Sequence, residues 1–131
     1  MTDYKVLKIE DAPDIFGGQY PGEMRSFTEP LGNTQVAFTY RRMPAQTGGK
    51  GSYGHSHKTQ EEVYFLVSGN VEMKLDDEVL ELGPGTVVRV APEVVRSIWN
   101  EGPEDAHLVI VSPRVDDPIA DAELHENFWP A

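Results

Sequence analysis

Nine short segments rich in β-branched and aromatic residues, separated by turn-forming residues, limit this chain to an all-β fold. The chain contains 12 glycines and 10 prolines in 131 residues, and short strands broken by regular turns are typical of a sandwich or barrel. SGN (68–70) and DD (76–77) predict tight hairpins, because Gly, Asn and Asp tolerate positive φ. The predicted strands are KVLKI (5–9), MRSFTE (24–29), TQVAFTYRRM (34–43), EVYFLV (62–67), VEMKL (71–75), EVLEL (78–82), TVVRV (86–90), VRSIWN (95–100) and AHLVIVS (106–112).

The length predicts one domain, residues 1–131, since small globular domains commonly run 100–150 residues. An N-terminal strand arm (1–33) precedes the predicted strand-rich core, and a tail (116–131) follows it. In the tail, Asp117 can cap a helix with Pro118 at its first position, which predicts a short helix over 118–125. The apolar residues expected to dock this tail on the domain are Ile119, Leu124, Phe128 and Trp129.

Composition excludes several kinds of partner. The chain has 22 acidic and 11 basic residues, a net charge of -11, which repels phosphate backbones and argues against nucleic acid. No secretory signal and no apolar run of about 20 residues is visible, so we expect a cytoplasmic location and no membrane partner. Cysteine is absent, so any metal ion must be bound by His, Asp or Glu.

The segment GHSHKTQEEVYFLVSG (54–69) carries the candidate metal ligands. Alternate residues of a strand share a face, so His55 and His57 are expected to point the same way, and Glu62 opens the next strand. Two imidazoles and one carboxylate form a set that suits Fe(II) best, with Mn, Ni, Zn or Cu as alternatives. The competing interpretation is a solvent-facing polar loop before a strand.

The spacing of Gly49, His55, His57, Glu62 and Gly69 resembles the first signature motif of the cupin superfamily. GPGTVVRVAPEVVRSIWN (83–100) is similar to the second motif, with its opening glycine, its proline one step late and its closing asparagine. The resemblance covers about 34–115. It implies a double-stranded β-helix, a jelly-roll barrel whose mouth holds the site, and a homodimer.

One residue departs from this pattern. Metal-binding cupins usually supply a third histidine in the second motif, and this chain has Arg96 there. A guanidinium offers only donors and cannot bind a metal ion. If Arg96 points inward, it either forms a two-pronged salt bridge with Glu62 and displaces the metal, or leans aside and binds an anionic group. Charge repulsion between a metal ion and Arg96 favours the first alternative.

Three functions are compatible with these residues. The first is a small cupin with a degenerate metal site that binds a small anionic metabolite, with Arg96, Tyr64 and Glu61 as candidate ligand-binding residues. The second is a metal-dependent enzyme, an Fe(II) dioxygenase or a metal-assisted isomerase. The third is a structural or partner-binding cupin without an open pocket. The cofactor is accordingly one divalent metal ion (Fe, Mn, Ni or Zn) or none, and no catalytic residue is identified.

Overall fold

The computed structural model describes residues 3–131, so residues 1–2 of the predicted N-terminal arm lie outside the described residues. Five strands, which together contain more residues than the six strands of the second sheet, form the larger antiparallel sheet: β1 (Glu23–Ser26), β2 (Val36–Met43), β5 (Glu62–Ser68), β8 (Val87–Val90) and β10 (Ala106–Pro113). Their order across the sheet is β1-β2-β10-β5-β8. Helix α1 (Thr28–Leu31) connects β1 to β2.

The smaller sheet faces the larger one across the core. Its strands are β3 (Thr47–Gly48), β4 (Gly54–His57), β6 (Val71–Leu75), β7 (Glu78–Leu82), β9 (Arg96–Asn100) and β11 (Ala122–His125). The order is β11-β4-β9-β6-β7, and β3 pairs with β9. The predicted all-β, double-sheet architecture is therefore confirmed. Among residues 3–131, no helix combines the length and the apolar character that a bilayer span requires.

Alternation along each strand divides the side chains between core and surface. On β5, Tyr64 and Leu66 are buried, whereas Phe65 and Val67 are exposed on the outer face. Burial of the inward apolar side chains holds the two sheets together. The buried cluster consists of Met43, Tyr64, Leu66, Val71, Met73, Val90, Ile98, Ala106 and Leu108.

The two predicted tight turns have different roles. DD (76–77) forms the hairpin between β6 and β7, with Asp76 at φ 50°. SGN is not a hairpin, because β5 and β6 belong to opposite sheets and the turn carries the chain across the core. Gly69 adopts φ 83°, and a Cβ there would lie 2.6 Å from the carbonyl oxygen of Asp105. Glycine is therefore required at this crossing.

The N-terminal strand prediction is wrong. KVLKI (5–9) forms no strand, and a 3-10 turn spans Ile9–Asp11 instead. The Asp11 carboxylate accepts a hydrogen bond of 2.8 Å from the Lys8 amide, which stabilises a turn. The segment also lacks a partner strand, and Val6 is 83% exposed.

The tail helix is confirmed but is shorter than predicted. Helix α2 spans Pro118–Asp121, and Asp117 Oδ1 accepts from the Ala120 amide at 3.1 Å. The next four residues form β11, which pairs antiparallel with β4, the strand that carries the histidines. Trp129 is buried as expected, but Ile119 is 87% and Leu124 64% exposed, so these two do not dock the tail. The tail is held on the domain by the backbone pairing of β11 with β4 instead.

Candidate metal centre in the barrel mouth

His55 and His57 on β4 and Glu62 at the start of β5 meet at the mouth of the barrel. One ligand atom from each side chain lies within 4.8 Å of the other two. Glu62 Oε1 is 3.6 Å from His55 Nε2 and 3.4 Å from His57 Nε2. Donor atoms about 2.1 Å from one metal ion lie roughly 3.0–3.4 Å apart, which is close to these separations. The three residues could therefore hold a metal ion.

A second carboxylate fixes the orientation of His57. Asp121 Oδ2 lies 3.2 Å from His57 Nδ1, which places the ring proton on Nδ1 and directs the Nε2 lone pair at Glu62. His57 Nε2 is buried and has no hydrogen-bond partner. In this tautomer Nε2 and the Glu62 carboxylate are both acceptors, and a proton or a metal ion shared between them would join the two groups. A carboxylate behind a histidine is the usual support of a metal ligand.

Asp121 is itself held by the loop that joins β4 to β5. Its carboxylate accepts from the amides of Thr59 and Gln60 at 3.0 and 3.1 Å and from the Thr59 hydroxyl. Burial alone would raise the pKa of Asp121, but these donors lower it more, so the group stays ionised. Asp121 is not among the predicted site residues, because no local pattern links it to His57, 64 residues away.

Glu62 is the central carboxylate of the site. The Tyr64 hydroxyl donates to Glu62 Oε1 at 2.7 Å. Burial would raise the pKa of Glu62, but His55, His57 and Tyr64 lower this pKa more. The pKa of Glu62 therefore lies well below the usual range of a glutamate. Burial, followed by the charge of Glu62, holds the pKa of Tyr64 well above its ordinary value. Tyr64, a predicted ligand-binding residue, lines the cavity but is engaged with Glu62.

Arg96 extends from β9 into the barrel and is 0% exposed. Nη2 donates to the carbonyl oxygen of Ala91 at 2.9 Å, whereas Nε and Nη1 have no hydrogen-bond partner. Nη1 approaches Glu62 Oε1 only to 3.8 Å. The two-pronged salt bridge between Arg96 and Glu62, which the charges favour, is therefore not formed, because Nη2 of Arg96 is hydrogen-bonded to the Ala91 carbonyl. Within the described part of the chain, two nitrogens of Arg96 therefore have no hydrogen-bond acceptor inside the barrel.

Glu61 is not brought to the site. It lies on the outside of the barrel, where Oε2 accepts from Arg89 Nη1 at 2.7 Å, and both side chains are largely exposed. Strand alternation explains the difference, because neighbouring residues at the start of β5 face opposite sides.

A cavity of about 270 Å³ adjoins the three candidate ligands. Arg41 also lines it, as alternation within the Arg41-Arg42 pair allows, and Arg41 Nε is buried without a partner. Burial lowers the pKa of Arg41, and within residues 3–131 no carboxylate pairs with it. The lining residues are Ile15, Phe16, Met24, Thr39, Arg41, Gly49, Tyr53, Gly54, His55, Glu62, Tyr64, Arg96, Ser97, Ile98 and Ile110.

Replacing Asp121 tests the support of His57. We expect Asp121→Asn to weaken Zn²⁺ binding by about 10- to 100-fold, since the imidazole loses its anionic partner and its fixed tautomer. Calorimetric titration of metal-stripped protein measures the affinity. Asp116→Asn, an exposed carboxylate of the same tail, serves as control, and equal affinities for the two variants would contradict the role given to Asp121.

Comparison with known proteins agrees with this geometry. The family model described as a cupin domain matches residues 42–112. An uncharacterized protein of Methanocaldococcus jannaschii, MJ1618, is 35% identical over 48 residues, which cover 37% of this chain and 38% of that protein. The chain thus spans well under half of this curated relative.

Two solved structures share the fold. A cupin protein from Bacteroides fragilis superposes with a TM-score of 0.70 at 22% identity, covering 89% of each chain. A Klebsiella pneumoniae protein with a double-stranded β-helix domain gives a TM-score of 0.72 at 17% identity, covering 95% of this chain and 100% of that one. The family match and the double-stranded β-helix together place the chain in the cupin superfamily, as a type-2 cupin in which Arg96 replaces the histidine of the second motif.

Proposed function

We propose that this cupin binds a small anionic metabolite in the barrel mouth, beside one divalent metal ion bound by His55, His57 and Glu62. The observation that carries the proposal is Arg96, a fully buried cation with two nitrogens, Nε and Nη1, that have no hydrogen-bond acceptor among residues 3–131. Buried nitrogens of a guanidinium that have no hydrogen-bond acceptor are costly, and an anionic ligand in the adjoining cavity would offset that cost.

Metal and anion support each other in this arrangement. A divalent ion next to Glu62 would repel Arg96, whose Nη1 is 3.8 Å from the same carboxylate oxygen. An anion that contacts both the ion and the guanidinium removes this repulsion. The metal would attract the anion as a Lewis acid. His57, oriented by Asp121, would keep the lone pair of its Nε2 directed at the metal position.

Iron, manganese, nickel and zinc all remain compatible with the donor set. Two imidazoles and a carboxylate bind each of these ions, and selection among them depends on geometry and availability. Three protein ligands also leave coordination positions for a bound molecule. Calcium and magnesium are disfavoured because they prefer an all-oxygen set.

Elemental analysis tests the metal. We expect untagged protein, purified without chelator, to contain about one equivalent of Fe, Mn, Ni or Zn, and His57→Ala to lose it. His107→Ala is the matched control, because His107 lies on β10 and contacts Tyr40 rather than the site. Protein that takes up no metal, even after incubation with each ion, would rule out this part of the proposal.

Arg96→His distinguishes metal binding from anion binding, because the two affinities should change in opposite directions. Because Arg96 points inward and lies opposite His55 across the β4–β9 pair, a histidine there adds a fourth ligand. We expect metal affinity to rise at least about tenfold and anion binding to weaken. Arg89→His, at an exposed position, should change neither quantity. Unchanged metal affinity in correctly folded Arg96→His would count against the inward site.

Metal-dependent catalysis is the second candidate function. It is favoured by the cavity that adjoins the ligand set, where a molecule could occupy the open positions. An isomerase would exchange a carbon-bound hydrogen of a bound 2-oxo or 2-hydroxy acid with D₂O, and a dioxygenase would consume O₂ with its substrate. Both signals should vanish on chelation and return with one equivalent of metal. Full turnover in chelator-treated protein would exclude this function.

The remaining expectations stay predictions. They are a cytoplasmic location, the lack of nucleic-acid and membrane partners, and a homodimer. In a dimer, the exposed apolar residues on the outer face of the larger sheet, Phe65, Val67 and Val87 among them, are a surface that pairing could bury. The third alternative, a filled barrel, has less support because of the cavity at the mouth.

A further inference from the structure

Two arginines of this chain stand apart from the rest. In residues 3–131, which contain every arginine, four donate hydrogen bonds to carboxylates: Arg25, Arg42, Arg89 and Arg114. Arg41 and Arg96 have no hydrogen-bonded carboxylate, and both have an Nε that is buried without a partner. In a chain with twice as many acidic as basic residues, both of these guanidiniums line the same cavity, and Arg96 approaches Glu62 only to 3.8 Å.

The two groups approach this cavity from opposite sides. Arg41 lies on β2 in the larger sheet, and Arg96 lies on β9 in the smaller sheet, so the guanidiniums face the space between the sheets. Both guanidiniums act on the Tyr64 hydroxyl and lower its pKa, against the larger effects of burial and Glu62. A ligand that satisfies both arginines must therefore present acceptors at two separated points.

The charges of the site give the charge of the ligand. Glu62 is the only carboxylate among the residues that line the cavity, and Asp121 adds one more negative charge behind His57. A divalent metal ion and two guanidiniums exceed these two carboxylates by two positive charges. A dianion neutralises this excess, whereas a monoanion leaves one charge uncompensated in a site of low polarity.

Part of the cavity lining is apolar. Ile15, Met24, Ile98 and Ile110 contribute hydrocarbon surface to the cavity. A phosphate ester carries both charges at one end, while a dicarboxylate separates them by a hydrocarbon spacer. The volume of about 270 Å³ is just below the range of roughly 300–1,000 Å³ typical of small-molecule sites, which limits the ligand to a few carbons.

We infer that the anionic ligand is a short dicarboxylate, with one carboxylate beside Arg96 and the metal position and the other held by Arg41. This inference rests on the proposed function and adds the second recognition point. The planar fork of a guanidinium matches a carboxylate with two parallel hydrogen bonds, which makes Arg41 the residue that distinguishes a diacid from a monoacid.

The test compares acids of equal carbon number. Calorimetric titration of Zn²⁺-loaded protein with succinate against butyrate, and with glutarate against pentanoate, should give at least about tenfold tighter binding for one diacid. Arg41→Gln should weaken diacid binding by about 10- to 100-fold and leave monoacid binding within about twofold. Arg42→Gln is the matched control, because Arg42 is the next residue on the same strand and pairs with Glu23 outside the cavity.

The possible outcomes distinguish failure of the dicarboxylate inference from failure of the proposed anion-binding function. Monoacid binding without a preference for any diacid overturns the dicarboxylate but leaves an anion site. Tighter binding of inorganic phosphate than of every diacid also overturns it. Absence of binding by any anion overturns both. The wild-type comparison needs no variant, and Arg41→Lys, which keeps the charge but loses the fork, should weaken diacid binding as Arg41→Gln does.

The stability of the ligand-free protein gives a second readout. Because Arg41 is a buried cation without a counter-ion, Arg41→Gln should raise the melting temperature while it weakens diacid binding. An arginine with a purely structural role would lower the melting temperature when replaced, and that result would contradict the inference.

Discussion

Charge balance inside the barrel is the constraint on which the site depends. The strands fix Arg41 and Arg96 at inward positions, so neither guanidinium can extend to the outer surface as exposed arginines do. Glu62 is the one carboxylate that lines the same space. The apolar cluster around Leu66 and Met73 supplies the stability that lets the fold tolerate this imbalance. The polar mouth and the apolar interior are thus complementary parts of one barrel.

The features that the sequence predicted well are local in the chain. Strand alternation places His55 and His57 on one face and Glu62 within reach of both, and the family spacing fixes the turn that follows. The DD hairpin follows from residues that tolerate positive φ. The SGN turn has the same kind of signal but joins strands of opposite sheets, because turn residues specify a bend and not the sheet that receives the next strand.

The features that the sequence did not predict depend on contacts between distant segments. Neighbouring glutamates at 61 and 62 look alike in the sequence, and only the facing of β5 sends one to Arg89 and the other to the histidines. The absence of a two-pronged salt bridge between Arg96 and Glu62 depends on the position of the Ala91 carbonyl. Asp121 reaches His57 through a strand, β11, that carries no strong strand signal and forms because β4 offers an unpaired edge.

The pairing of β11 with β4 has a consequence for the order of assembly during translation. Synthesis proceeds from the N-terminus, so His55, His57 and Glu62 exist, and can fold with their neighbours, while Asp121 has yet to be made. A nascent chain at that stage lacks the partner that orients His57 and the strand that completes the edge of its sheet. The residues of the candidate centre are therefore complete only after the tail has been made, so an ion in the proposed site would be bound late in biosynthesis.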